Sequence, residues 1–245
     1  DRMAPVQRQV ARSLRPILGR VLDPAGAALP DPRVLDAVQR LHHELAEVHE
    51  VLTAPQTSVR LVLTPEAVVV AEARRTLTTL ALYGYRVDGV VANRIFPDDG
   101  ADEWRNAWVS AQGAMLSDVE SSFAPLPLYR SKYQATEPIG HDALLSLAEQ
   151  MYGDADPFEV PPDRDVMSVE RVGSGFVLHL SLPLAERRDL DLARVGDDLV
   201  VTFGAYRRII ALPGALRRCA VTSATLDGGR LAVDFTPDRA VWPSA

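Results

Sequence analysis

The sequence is poor in cysteine and in lysine, with one of each in 245 residues. A lone Cys219 makes no internal disulfide and no multi-thiolate metal site. It suits a reducing compartment, and a cytoplasmic location is the expectation. Lys132 stands against 25 arginines, so any chemistry that needs an ammonium group has a single candidate. Positive charge is in deficit overall. The net charge of −7 carries no basic footprint and argues against a nucleic-acid partner. No apolar run approaches the roughly 18 residues of a membrane-spanning helix. No repeat is long enough for a solenoid. What remains, 47% hydrophobic and 24% charged residues, is the composition of an ordinary globular protein of one large or two modest domains. The chain begins at Asp1, and Arg2 to Leu18 has arginines spread through it and no continuous apolar core. It is not a secretory signal, and truncation of a longer protein is the expectation.

Five segments follow from the patterning. Residues 1–53 predict a helical subdomain. Val6, Val10, Leu14, Ile17, Leu18 and Val21 recur at three- and four-residue steps, as do Leu35, Val38, Leu41, Leu45, Val48 and Leu52. A Pro-rich stretch from Asp23 to Pro32 separates the two, with Asp31 as N-cap and Pro32 at the first helical position. Residues 54–153 alternate strand and helix with continuous apolar strands, the pattern of a parallel sheet covered on both faces. Strands are predicted at Val59 to Leu63, Val87 to Val91 and Phe123 to Leu128. Helices are predicted from Thr64-Pro65-Glu66 to about Tyr83, from Asp102 to Ser121, and from His141 to Tyr152. Thr64 is read as the hydroxyl cap of the first of these, and Gly84 and Gly153 end the first and last. Residues 154–165, rich in Asp and Pro, predict a linker. Residues 166–238 switch to period two, as in Phe176, Leu178, Leu180 and Leu182, and again in Leu231, Val233 and Phe235. Turn signals at Val195 to Asp198 and Asp227 to Gly229 complete a small antiparallel sandwich. Residues 239–245 are a tail.

Ligands of an open parallel sheet bind outside the carboxyl ends of its strands. That rule selects Thr64 to Glu66, Asn93 to Phe96 and Pro127 to Tyr129. Asn93 at a strand end offers a donor and an acceptor together, which suits a purine edge; an asparagine there also caps a turn, and both readings stand. Other groupings read as structural. His42, His43 and His49 sit on a solvated helix face with no carboxylate completing a metal site. Trp104 and Trp108 are an i, i+4 pair of a core or interface. Arg74 and Arg75 belong to a surface with Glu72, and of Arg207 and Arg208 one must point outward. Ser117, Ser121 and Ser122 lack nucleophile-elbow glycines. Asp98, Asp99, Asp102 and Glu103 lack calcium-loop spacing.

An ordered set of short motifs carries a family resemblance. Ser58-Val-Arg-Leu-Val-Leu-Thr-Pro-Glu66, Ala73-Arg-Arg-Thr-Leu77, Val87-Asp-Gly-Val-Val-Ala-Asn-Arg94, Leu126-Pro-Leu128, Glu137-Pro-Ile-Gly140 and Leu144 resemble the C-terminal half of the ArsA-type anion-transporting ATPases. That family includes arsenite-pump subunits and ATPases that deliver tail-anchored membrane proteins. Leu178-His-Leu-Ser-Leu-Pro-Leu184, Asp197-Asp-Leu-Val-Val201, Arg207-Arg-Ile-Ile210 and Leu212-Pro213 resemble the alpha-crystallin-like domain appended to many bacterial members. The resemblance implies an α/β fold with part of a parallel P-loop-NTPase-type sheet, followed by a small all-β alpha-crystallin-like sandwich. It implies an ATP-dependent homodimer using Mg²⁺, and a membrane-protein cargo or a membrane pump subunit as partner. Matched residue by residue, Asn93 recognises adenine, Pro127 and Leu128 line the base, and Glu137 to Gly140 form the adjoining loop. The departures are equally specific. No Gly-x-x-x-x-Gly-Lys-Ser/Thr occurs, and Lys132 has no glycine near it, so nothing cradles phosphate. The expectation is therefore a chain inactive by itself, binding neither ATP nor Mg²⁺ tightly, with the P-loop and switch residues upstream of Asp1. The rival expectations are a non-enzymatic, chaperone-like protein-binding module and a complete but degenerate homologue.

Overall fold

A computed structural model describes residues 32–98, 102–159 and 166–238. The chain divides into two units between Ala54 and Pro55. Of the first, helix α1 (Pro32–Thr53) is described. Pro32 opens it, because a proline at the first position gives up only an amide that has no helical acceptor. Val34, Leu41, Leu45 and Val48 along it are exposed. The predicted N-cap Asp31 and the predicted helix carrying Val6 to Val21 lie outside the described residues.

The second unit begins with a three-stranded parallel sheet, β1 (Val59–Leu63), β2 (Val87–Ile95) and β3 (Leu128–Lys132), in the order β1-β2-β3. Helices α2 (Ala67–Tyr83), α3 (Glu103–Phe123) and α4 (His141–Tyr152) alternate with the strands. Leu61, Leu63, Val90 and Ala92 face one side and pack with Val70, Ala73 and Leu77 of α2 and Val119 and Phe123 of α3. Asp102 caps α3 by accepting from the Arg105 amide at 2.8 Å. Gly84 ends α2 in the left-handed region at φ 90°, which glycine adopts without a Cβ penalty.

Two expectations are corrected. The third strand runs from Leu128 to Lys132, and not from Phe123 to Leu128. Phe123 is the last residue of α3. Pro125 and Pro127 have no amide to donate to a ladder, so residue pairing starts at Leu128, with Pro127 contributing its carbonyl alone. Nor does Thr64 cap α2. The Glu66 amide bonds back to the Thr64 carbonyl at 2.8 Å. Glu66 is extended, at φ −127° and ψ 139°, and occupies the cap position itself without a side-chain hydrogen bond.

On the other side of the sheet a half-buried cation meets a buried carboxylate. The Arg60 guanidinium donates to both Asp88 oxygens, at 3.1 and 2.8 Å, and to the Tyr152 hydroxyl at 3.1 Å. Ser58 donates to the same carboxylate at 2.8 Å. The guanidinium lies 5.0 Å from the Tyr129 ring centre and 5.5 Å from that of Tyr152. Burial pulls the Arg60 pKa down, but the bonds and charge of Asp88 with the Tyr152 hydroxyl outweigh it and leave it above the ordinary arginine value. Gly89 makes room for this cluster, since a Cβ there would stand 3.0 Å from Tyr129 Cε2.

The rest of the unit is a sandwich of two antiparallel sheets. One orders as β4 (Met167–Val172), β5 (Gly175–Ser181), β10 (Arg230–Pro237) and β9 (Cys219–Asp227). The other orders as β6 (Leu190–Val195), β7 (Asp198–Phe203) and β8 (Tyr206–Ala211). Alternate residues Leu178, Leu180 and Leu182, Leu199 and Val201, and Leu231, Val233 and Phe235 fill the space between. Gly196 and Gly228–Gly229 supply the positive φ of the two turns.

Leu82, from the last turn of α2, is fully buried in this sandwich core. One turn earlier, the Thr78 hydroxyl donates to the Pro183 carbonyl at 2.6 Å. From β8, Arg208 donates to the Leu82 carbonyl at 2.6 Å. That places a cation on the negative end of the helix, and burial lowers its pKa from the ordinary value. Replacing Leu82 by Ala removes a buried side chain and leaves a cavity shared by helix and sandwich. The expected loss is about 3 kcal/mol, measured by denaturant unfolding of the whole chain.

Candidate functional site

The carboxyl end of β2 is irregular, and the irregularity places Asn93. Ala92 pairs with Arg130, and the next pair is Ile95 with Lys132. Three steps on β2 thus match two on β3, so Asn93 and Arg94 carry one extra residue, a β-bulge. Arg94 takes φ 58°, a left-handed conformation that costs a non-glycine residue about 1–2 kcal/mol. A buried side chain holds it. Gln112, 5% exposed on α3, accepts from the Phe96 amide at 2.8 Å and donates to the Arg94 carbonyl at 3.2 Å. Asn93 is half-buried. Its Oδ1 accepts from the Arg94 amide at 2.9 Å, while its Nδ2 donates to no described residue. A fixed carboxamide with an unused donor therefore stands at the exit of the middle strand.

Aromatic rings surround that exit. Phe96 stacks on Tyr133 with centres 5.2 Å apart and meets the rings of Trp104 at 6.3 Å and Trp108 at 6.0 Å. The Tyr133 amide donates to the Ile95 carbonyl at 2.9 Å, tying the ends of β2 and β3 together. Trp104, Trp108 and Tyr133 remain exposed.

The residues expected to form the base site do not all gather here. Pro127 and Leu128 lie at the start of β3, not beyond its carboxyl end. The Pro127 carbonyl accepts from the Val90 amide at 2.9 Å, and Leu128 pairs with Val90. That is three residues, about 10 Å, back along β2 from Asn93. The residues of β3 that reach the level of Asn93 are Lys132 and Tyr133. Glu137 and Gly140 are both exposed and sit in the loop between the carboxyl end of β3 and α4, so topology puts them at the same end as Asn93. Gly140, at φ 87°, immediately precedes α4. Sequence reasoning missed Gln112 and Tyr133. Gln112 reads as one more polar position on a helix; only the bulge it clamps distinguishes it. Tyr133 was displaced from view by the misplaced strand.

The other singled-out residues have local partners. His43 is 3.3 Å from Glu47 on α1, Arg75 pairs with Glu72, and Arg74 bonds Asp118 at 2.7 Å. Arg208 points inward onto α2, while Arg207 is exposed. Cys219 is buried and donates to the Ala215 carbonyl at 3.3 Å. Burial pushes its pKa up against the charges of Arg194 and Arg218. Among the described residues no three His, Cys, Asp or Glu converge on a metal position, and no helix is long and apolar enough to cross a membrane.

The parallel sheet with its helices, followed by an antiparallel sandwich, corresponds to two known domain families in the same order. The profile of the anion-transporting ATPases, ArsA, matches residues 2–153, and that of the HSP20-like domain found in ArsA matches residues 173–235. The chain belongs to the ArsA-type anion-transporting ATPase family and carries its HSP20-like domain. An uncharacterized protein of Streptomyces coelicolor is 39% identical over 99% of this chain and 60% of its own length. A Mycobacterium tuberculosis protein is 36% identical over 85% of this chain and 53% of its own. A Chlorobaculum tepidum protein that bears the name of an arsenical pump-driving ATPase is 31% identical over 86% of this chain and 52% of its own. The chain thus spans between half and three fifths of these relatives.

The clamp is directly testable. Gln112→Leu leaves the Phe96 amide and the Arg94 carbonyl without partners and is expected to cost about 2–4 kcal/mol in urea unfolding. Arg94→Gly relieves the left-handed strain and is expected to gain about 1 kcal/mol in the same assay.

Proposed function

We propose that this chain supplies the adenine-binding side of an ATP site in an ArsA-type ATPase, and that the phosphates are held by a part of the machine this sequence does not encode. The observation that carries the reading is Asn93: a half-buried carboxamide with a free Nδ2 donor, at the carboxyl end of the central strand of a parallel sheet. That is where such sheets hold ligands. Its donor and the second lone pair of its oxygen match the acceptor and the amino group on an adenine edge. The exposed ring of Tyr133, stacked on Phe96, offers the flat apolar wall that a base needs. In this reading it takes the place of Pro127 and Leu128, which lie at the wrong end of β3. Glu137 to Gly140 border the site from the loop that follows.

The residues present fit the base and not the rest of the nucleotide. No glycine-rich loop ends in lysine here, and exposed Lys132 lies between Ser131 and Tyr133. No acidic cluster among the described residues holds a divalent cation. Turnover and tight ATP binding accordingly need the missing half. A homodimer in the whole ATPase, and a helical or membrane-derived partner for the exposed apolar stripe of α1, are part of the same reading. Among the described residues that stripe is exposed, and an exposed apolar stripe is the kind of surface such a partner takes.

Titration of the chain with adenosine and with guanosine, followed by calorimetry and amide NMR, tests this. At about 0.3 kcal/mol per ligand atom, adenosine alone is expected to bind with Kd on the order of 0.1 mM, and guanosine more weakly. Asn93→Ala is expected to weaken adenosine about tenfold or more. Equal binding by the variant, equal binding of guanosine, or ATP turnover by this chain alone each overturns the reading.

A further inference from the structure

Adenine and the 6-oxopurines show a carboxamide opposite patterns on the same edge. Adenine presents its N1 acceptor beside an amino donor. Hypoxanthine and guanine present an N1–H donor beside the O6 acceptor. A carboxamide has one donor side and one acceptor side. A half-turn about its last torsion refits it from one pattern to the other, and that torsion is soft and nearly two-fold. An asparagine at a strand end therefore does not choose between the two bases by itself. Choice requires that the half-turn be blocked.

The block at Asn93 is the Arg94 amide, 2.9 Å from Oδ1. A backbone N–H only donates, so the atom it meets is the oxygen. Turned over, the carboxamide would set Nδ2–H against N–H, donor against donor. The contact is exposed to water and lasts only while the peptide between Asn93 and Arg94 is aimed. The aim comes from Arg94 at φ 58°. The Arg94 side chain is exposed, and an arginine left to itself leaves the left-handed region for the extended backbone around it.

Gln112 prevents that return. Its oxygen accepts from the Phe96 amide at 2.8 Å and its nitrogen donates to the Arg94 carbonyl at 3.2 Å. One bond is to the strained residue itself and the other lies two residues on, so the bulge is held from both sides. Gln112 is 5% exposed and stands on the helix whose Val119 and Phe123 are in the core. Its own orientation is fixed, because one neighbour only donates and the other only accepts.

We infer that Gln112 sets the choice of base. It is a positioning residue: through the Arg94 bulge it holds Asn93 with Nδ2 outward, so that the site takes 6-aminopurines and rejects 6-oxopurines. The assignment rests on the base site at Asn93 and adds to it the substrate class and the residue that determines it. A base kept in one pose against the Tyr133 ring cannot compensate by sliding, so its pattern must match a carboxamide that cannot turn.

The test is calorimetric titration of the whole chain with adenosine and inosine, the fold of each variant being checked by circular dichroism. The parent is expected to favour adenosine about tenfold or more. Gln112→Met keeps the length of the side chain and loses both bonds. It is expected to bring the two affinities within about threefold of each other. Gln112→Glu keeps the acceptor for Phe96 and, ionised at pH 8, gives nothing to the Arg94 carbonyl. It is expected to be equally indifferent there, which keeps the question answerable if the first variant does not fold. Adding Arg94→Gly to Gln112→Met frees the left-handed turn of strain and is expected to bring the preference back. A folded Gln112 variant that keeps the preference, or a double variant as indifferent as the single one, overturns the inference. A parent that does not distinguish the two nucleosides overturns the base reading as well. A parent that does, with Gln112 variants that do so equally, overturns this assignment alone.

Discussion

Helix α2 belongs to two cores at once, and the second unit depends on that. Val70, Ala73 and Leu77 lie three and four residues apart and face the sheet. Thr78 and Leu82, four apart and about 100° and 140° around the helix from Leu77, face the sandwich. Neither stripe is wide, because each serves only one neighbour. The helix is buried through its sum and not through one dominant face. Its last carbonyls are met by Gly84 in the chain and by Arg208 from β8. The sandwich is thereby built onto the end of a helix whose beginning stands at the carboxyl end of β1. Burying Leu82 contributes about 2–3 kcal/mol, and the charge-assisted contact of Arg208 adds to it.

The same sheet has two dissimilar ends. At the start of its strands, Arg60, Asp88, Tyr129 and Tyr152 form a satisfied ionic and aromatic cluster that fixes α4 over β2 and β3. Breaking such a pair is costly, because the survivor is a buried charge with no partner. At the carboxyl ends the backbone is instead strained. The bulge at Asn93 and Arg94 survives because Gln112 satisfies the groups it would otherwise leave unmet. Strain upheld by a buried clamp is a common property of ligand-holding segments, and here it turns one carboxamide outward with a donor to spare.

Much of this was legible in the sequence, for reasons that can be traced. The bounds of α4 at His141 and Tyr152 follow from a glycine before and a glycine after an amphipathic run. The sandwich shows in the alternation of β5 and β10, each with one face inward, although β7 is buried on both faces. Turns at Gly196 and at Gly228–Gly229 show in residues that tolerate positive φ. The third strand was misread because its most apolar stretch, Phe123 to Leu128, is broken by two prolines. The strand itself, Leu-Tyr-Arg-Ser-Lys, uses Arg130 on Glu120 and buried Ser131 where apolar residues were sought. Gln112 and Leu82 are invisible for another reason. Each owes its role to a partner 16 or more residues away, and no local pattern encodes that.

The division of labour within a nucleotide site explains why a base-reading end is recognisable without its phosphate cradle. One carboxamide meeting one edge contributes on the order of 1–3 kcal/mol, which sets selectivity among bases but falls short of the roughly 4 kcal/mol of even a millimolar grip. Most of the affinity for a triphosphate comes from amides and cations arrayed on its charges. On the proposed reading, a sheet that offers Asn93 and an aromatic wall, with a single exposed lysine beside them, chooses a base and leaves the charge to be held elsewhere. Of the arginines, exposed Arg94 stands beside Asn93 at that end, and others are engaged elsewhere. Arg60 and Arg74 are committed to carboxylates and Arg208 to a helix end. Arg86, half-buried and bonded to the Pro55 carbonyl, lies some 20 Å away towards the start of β2, too far to reach a phosphate on a base held at Asn93.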